Sequence, residues 1–225
     1  MEEKTISINR LSTRPEANRN AWQQIRDICC RTGNGGAPIP FERWRLFARI
    51  WIDPYERIIP HWTYVAAYGE NVIGYVTGCP DTRRFTCARF WRFYLPLATQ
   101  LILGGYGECP DRKRFLRRIL RMEKTPERFF PRQLRSELRQ HYPAHLHINL
   151  EAPFRHRGIG VRLIDALLRD LRSADVEGIH VYCGAGPLEF YRSYGFKELM
   201  QVDCRGNPVY ALGFSLARAS RHLRS

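Results

Sequence analysis

Leu150-Glu151-Ala152-Pro153-Phe154-Arg155-His156-Arg157-Gly158-Ile159-Gly160-Val161 is the stretch on which the fold turns. Before it, residues 144–150 alternate, with His145, His147 and Asn149 on one face and Leu146, Ile148 and Leu150 on the other, as in a central strand with one polar face. After it, residues 158–171 place Ile159, Leu163, Ala166, Leu167 and Leu171 at helical spacing. The strand runs into the helix through two glycines. The free amides of a first helical turn, with the positive end of the helix dipole, make an anion site suited to a pyrophosphate. The pattern is not a P-loop, because no Gly-Lys-Ser/Thr follows, nor the dinucleotide G-x-G-x-x-G, because position 163 is leucine. Taken alone, R-x-x-G-x-G reads equally well as a tight turn that needs glycine for packing.

Outward from this core, residues 5–11 read as a first strand and residues 15–30 as a helix stopped by Thr32-Gly33-Asn34-Gly35-Gly36. Residues 41–52 carry Trp44, Phe47, Ala48 and Trp51 at helical spacing, and that helix is expected to close before Pro54. Two β-prone runs, 63–68 and 72–77, flank Gly69-Glu70-Asn71 as a hairpin. Residues 79–140 are aromatic and arginine-rich and read as a helical excursion. A strand at 178–183, a short helix at 188–194 closed by Gly195, and a hairpin of 196–202 with 208–214 complete the chain, with a frayed basic tail from 218. This order predicts a mixed α/β fold: one domain over 1–225, a central mixed sheet flanked by helices, and a helical insertion, 79–140, between the third and fourth strands.

The composition narrows the classes. With 225 residues, 44% of them hydrophobic, the chain can bury one substantial core. It has no apolar run long enough to span a bilayer and no secretion signal at Met1, which predicts a cytoplasmic protein without a membrane partner. The seven cysteines lack the paired spacing of a zinc site and read as free thiols; Cys183 is the one held in reserve as a nucleophile. The net charge of +14 is concentrated between Arg83 and Arg139, where 15 Lys plus Arg face 5 Asp plus Glu. Such a segment can steer an anionic partner or simply form a solvated helical face.

Some thirty residues after the glycine turn comes Phe190-Tyr191-Arg192-Ser193-Tyr194-Gly195-Phe196. An R/Q-x-x-G-x-G/A turn after a central strand, followed by F-Y-x-x-x-G-F, resembles motifs A and B of the GNAT acetyltransferases, over roughly 144–198. That resemblance implies a sheet of about six to seven strands. Tyr142-Pro143-Ala144-His145-Leu146-His147-Ile148-Asn149-Leu150, the Gly78-Cys79-Pro80-Asp81-Thr82 stretch and the excursion between them further resemble the bacterial and fungal acetyltransferases akin to the C-terminal domain of O-GlcNAcase.

The resemblance implies acetyl-CoA as cofactor, with Arg155, Arg157, Gly158, Ile159, Gly160 and Val161 around its pyrophosphate and the backbone near Leu150 and Ala152 pairing with its pantetheine arm. It places Tyr191 near the thioester sulfur as a general acid; a tyrosine that only covers the core is the plainer reading. Two positions depart from the pattern. Gly184 stands where an asparagine is common, and Pro187 replaces a usual alanine.

Acyl transfer needs a neutral amine. His147 is the leading base and His145 and Asn149 are substrate contacts on the same polar face, against the alternative of satisfied structural histidines. Asp81 either binds a cationic amine or caps the following helix. The expected partner is a small-molecule or protein amine, acidic if the arginines of 79–140 line its site. A coenzyme A-binding domain without turnover, and a nucleic-acid-directed protein, are the competing readings. The latter has no stacking-aromatic motif to support it. Edge strands in this fold often pair, which allows a homodimer.

Overall fold

A computed structural model describes residues 5–12, 18–105, 111–119 and 126–217. Among the described residues seven strands form one sheet in the order β1-β2-β3-β4-β5-β7-β6. They are β1 (Ile6–Arg10), β2 (Thr63–Tyr68), β3 (Asn71–Cys79), β4 (Ala144–Leu150), β5 (Gly178–Cys183), β6 (Lys197–Asp203) and β7 (Pro208–Ser215). Only β4 and β5 pair in parallel, around the crossover helix α8 (Ile159–Ser173). The mixed α/β sheet is the one expected from the alternation of elements.

The two faces of the sheet follow from the period of two along β3 and β4. Leu146, Ile148 and Leu150 turn toward α8, whose Ile159, Leu163, Leu167 and Leu171 are buried against them in the largest core cluster. The opposite face carries Tyr75, Thr77 and Cys79 directly across from Asn149, His147 and His145. Helix α1 (Arg19–Thr32) covers part of that face with Trp22, Ile25, Ile28 and Cys29. The expected start of α1 at residue 15 lies outside the described residues, and its end runs on to Thr32, whose hydroxyl donates to the Ile28 carbonyl.

The second helix closes before Pro54, as its position implied. The chain turns at Ile52 between α2 (Trp44–Trp51) and α3 (Asp53–Ile58), and Pro54 sits in the first turn of α3, where a missing N–H breaks no hydrogen bond. Arg26 of α1 pins α3 through Asp53 and Glu56.

Between β3 and β4 the described elements are helical. Helix α4 (Thr82–Arg89) continues through a π-helical turn (Phe90–Tyr94) into α5 (Leu95–Ile102); α6 (Asp111–Ile119) and α7 (Arg132–His141) follow. The π turn has a local cause. Pro96 lacks an N–H and its ring crowds the carbonyl four residues back, so the chain widens and the Leu95 amide reaches back five residues to the Phe90 carbonyl. Phe93, Leu97 and Leu101 pack on Leu46, whereas Leu134 and Leu138 of α7 pack near Ala211 on β7.

Gly78 lets α8 lie close to the sheet. A Cβ there would fall 2.3 and 2.9 Å from the two terminal carbons of Leu167, a fully buried side chain. Gly78→Ala is therefore expected to overpack this contact and lower stability by about 1–3 kcal/mol, read as a drop in the urea midpoint. An unchanged midpoint would show that Leu167 gives way freely.

Candidate active site

β4 and β5 are in register at only Ala144↔Ile179 and His145↔His180. Past that point β5 stays paired with β7 as far as Cys183↔Tyr210, while β4 stays paired with β3 as far as Leu150↔Gly74. The two neighbours therefore diverge into a wedge. The Glu151 amide donates to the Ile73 carbonyl, so by antiparallel alternation the peptide groups of Leu150, Ile148 and Leu146 face the wedge instead of β3. Arg31 holds the mouth of the wedge to α1 through Glu151, at 2.5 Å.

The wedge leads to the start of α8. Gly158 adopts φ +73°, which L side chains disfavour, and the first intrahelical bond runs from the Arg162 amide to the Gly158 carbonyl. The amides of Ile159, Gly160 and Val161 therefore have no acceptor within the helix; no side chain caps it and its first turn holds no acidic residue. The two glycines do different work. A Cβ on Gly158 would meet nothing within 4 Å, whereas one on Gly160 would press the Phe190 ring at 3.1 Å, so Gly160 lets α8 approach α9 (Leu188–Tyr194) closely. Open space above Gly158, unpaired amides and a positive dipole end fit the pyrophosphate of coenzyme A.

The flanking side chains divide. Arg157 is exposed, with its guanidinium 6.0 Å from the Phe154 ring centroid, and Ala152 lies exposed in the turn Ala152–Phe154. Arg155 turns the other way: its Nε donates to the Leu150 carbonyl and one terminal nitrogen to the Gly36 carbonyl, each at 3.0 Å. Expected among the phosphate ligands, Arg155 instead braces the end of β4.

On the opposite face, the hydroxyl of Thr82 donates to the Pro143 carbonyl at 2.7 Å, so it must accept from Nδ1–H of His145 at 2.8 Å. Nε2 of His145 is then the acceptor for the Tyr55 hydroxyl at 2.9 Å. Both nitrogens are engaged, and burial holds the ring far below the ordinary histidine range. His145, expected to touch substrate, has no nitrogen left to do so.

His147 stacks on Trp51, with centroids 5.8 Å apart and planes 17° from parallel. Its Nε2 lies 3.1 Å from both the Tyr75 hydroxyl and the Asn149 amide nitrogen, and Asn149 also donates to Tyr75 at 2.9 Å. An Nε2 between two donor groups is an acceptor already in use, and burial pushes the ring down to about 4. A base matched to neutral pH needs a free lone pair and a pKa near 7; His147, the base expected from sequence, has neither. Asp81 realises the second of its two expected roles, capping α4 by accepting from the Arg84 amide at 2.9 Å.

Tyr191 is buried between Phe190 and Phe196, with centroids 5.3 and 5.4 Å away, and burial raises its pKa well above the ordinary phenol value. Its proton is retained at any physiological pH. Burial also pushes the Cys183 thiol up to about 11, which leaves it a poor nucleophile. The sequence reading missed Tyr75, Tyr55 and Trp51. The register of the β2–β3 hairpin carries Tyr75 onto the face of Asn149, a signal present in the sequence. Nothing local marks Tyr55 or Trp51.

No family model matches the sequence. Among solved structures the fold is that of the GNAT acetyltransferases. SsHAT matches with 29% identity over 95% of this chain and 100% of its own, at a TM-score of 0.70. Ard1 from Thermoplasma volcanium matches with 13% identity over 95% of this chain and 99% of its own, at 0.54. A protein from Desulfovibrio desulfuricans assigned to the GNAT family matches with 12% identity over 95% and 100%, at 0.55. The last two show likeness of fold alone. Among the described residues no helix is long and apolar enough to cross a membrane.

Because His147 is held neutral to about pH 4 against an ordinary 6.5, the unfolded chain takes up a proton that the folded chain refuses. Its contribution to stability is present above pH 6.5 and is lost as pH falls from there toward 4, at up to about 1.4 kcal/mol per pH unit. The urea midpoint should fall over that window, and His147→Gln should flatten part of the slope. An equally steep slope in the variant would place the linkage elsewhere.

Proposed function

We propose that the protein is an acetyl-CoA-dependent N-acetyltransferase that passes the acyl group directly to an amine. The observation that carries this reading is the β4–β5 wedge, onto which the Ile148 and Leu150 peptide groups face, leading to three amides without helical acceptors beside the uncrowded backbone of Gly158. The narrower resemblance to acetyltransferases akin to the C-terminal domain of O-GlcNAcase rests on the 78–82 and 142–150 stretches and the excursion between them; the two stretches meet where Cys79 lies across from His145.

The Leu150 amide and the Ile148 peptide group would hold the pantetheine arm as an added strand, and the amides of Ile159, Gly160 and Val161 the pyrophosphate, with Arg157 over it. Bound acetyl-CoA supplies an activated acyl carbon, whose C–S bond is exchanged for a C–N bond to the acceptor. Tyr191 would give its phenolic proton to the departing sulfur, a task suited to a group that keeps its proton through the neutral range, and the proton shed by the attacking nitrogen passes through solvent to restore the phenol. Asn149 and His147, fixed through Tyr75, orient the amine from the opposite face, and Trp51 walls the site. His147 acts as a positioning residue; the amine arrives neutral, its proton already lost to solvent.

Two measurements test this. Calorimetry should detect acetyl-CoA binding by the natural protein and none by Gly158→Trp, with circular dichroism showing the variant folded. Failure of the natural protein to bind at millimolar concentration would remove the reading. Tyr191→Phe should keep cofactor affinity and lower kcat on the order of 100-fold, and the pH profile should follow the acceptor's own pKa. Binding without turnover on any amine would favour the coenzyme A-binding domain, and an unchanged kcat in Tyr191→Phe would leave that residue a packing role.

A further inference from the structure

Among the described residues Arg89 is a cation without a counter-ion. It ends α4, and its guanidinium carbon lies 5.5 Å from the ring centroid of Phe85, one turn before, and 5.0 Å from that of Tyr94, five residues on. The π turn brings Tyr94 near the same guanidinium as Phe85, so its central carbon lies over two aromatic rings. Faces attract a cation but accept none of its in-plane N–H bonds. Nε is buried without a hydrogen-bond partner, and among the described residues no carboxylate pairs with the side chain. Asp81, at the start of the same helix, is engaged by Arg84.

Arg89 is half-buried, and a shielded N–H donor left without an acceptor costs free energy unless something compensates it. Its surroundings say where the compensation would come from. Phe85 stacks on Tyr55 at 4.8 Å and lies 5.4 Å from His145, and the Arg89 charge acts on Tyr55, Cys79 and His145. The guanidinium therefore sits beyond His145, on the face of β3 and β4 that carries His147 and Asn149. All of the neighbours named are neutral. A planar fork of N–H donors in a neutral aromatic clamp matches a carboxylate.

We propose that Arg89 binds a carboxylate of the acceptor, so that the substrate is an aliphatic amine carrying a carboxylate several bonds from its nitrogen. This rests on the acetyltransferase reading. Residues of one strand face repeat about every 7 Å, so an amine held at His147 and Asn149 and an anion held beyond His145 are separated by roughly that distance or more. The ω-amino acids of five and six carbons have that reach, and the four-carbon acid falls short of it. Arg89 thereby selects the acceptor, and the amine end takes the acyl group.

The test uses 4-aminobutyrate, 5-aminopentanoate and 6-aminohexanoate, each against its carboxamide, with thiol release from acetyl-CoA as the rate. At least one acid should exceed its amide by about 10-fold or more in kcat/KM. Arg89→Gln, which keeps a planar side chain without charge, should bring that ratio near one by slowing the acid alone, and Arg89→Lys should fall between. A merely structural arginine would change acid and amide together. The proposal is overturned if the natural protein treats acid and amide alike, or if Arg89→Gln keeps the preference. It is also overturned if no acid is acetylated or binds, by calorimetry, to the protein loaded with coenzyme A. In each case cofactor binding by the natural protein leaves the acetyltransferase reading standing, and its absence removes that reading instead. Should Arg89→Gln not fold, the Arg89→Lys ratio decides.

Discussion

Two adjacent parallel strands that start paired and then part leave peptide groups facing one another across a gap, and everything else in this structure is arranged around that gap. Unpaired backbone donors and acceptors inside a protein are costly, so an open wedge persists where a partner of matching pattern supplies the missing bonds. On one side β3 keeps β4 in register to its end, and on the other β7 keeps β5 in register to Cys183. Each strand is anchored by its outer neighbour. The chain leaves β4 over an Arg155 brace, turns through a left-handed Gly158, and presents the amide end of α8 at the mouth of the same gap.

The polar row on the other face of β4 resolves a conflict posed by the sequence. Histidines on a central strand demand either water or partners. His145 is fully partnered by Thr82 and Tyr55, while His147 is partnered on one nitrogen and covered by Trp51. Both rings are held neutral by burial. This face therefore presents neutral donors and acceptors.

Strand and helix order was legible because it rests on local signals: alternation from Ala144 to Leu150, the heptad-like stripe of α8, and glycine at 158 and 195. The α8 end of the site was legible for the same reason, since amides, glycine and dipole belong to one segment. The roles of His147, Arg155 and Asp81 were not, because each depends on what a distant segment brings to it. Tyr75 reaches His147 from β3, Gly36 receives Arg155, and the helix that Asp81 caps defines its use. Pro96 shows the same limit: a proline fixes one φ and removes one donor, and context decides whether a helix stops or widens there.

The wedge itself is most directly tested by amide hydrogen exchange with and without coenzyme A. Leu150 and the first-turn amides of Ile159, Gly160 and Val161 lack protein acceptors and exchange readily in the free protein; saturating coenzyme A should slow them while leaving α6 and α7 unchanged. Protection confined to other segments, or none at these four amides in a protein that binds the cofactor, would contradict the account.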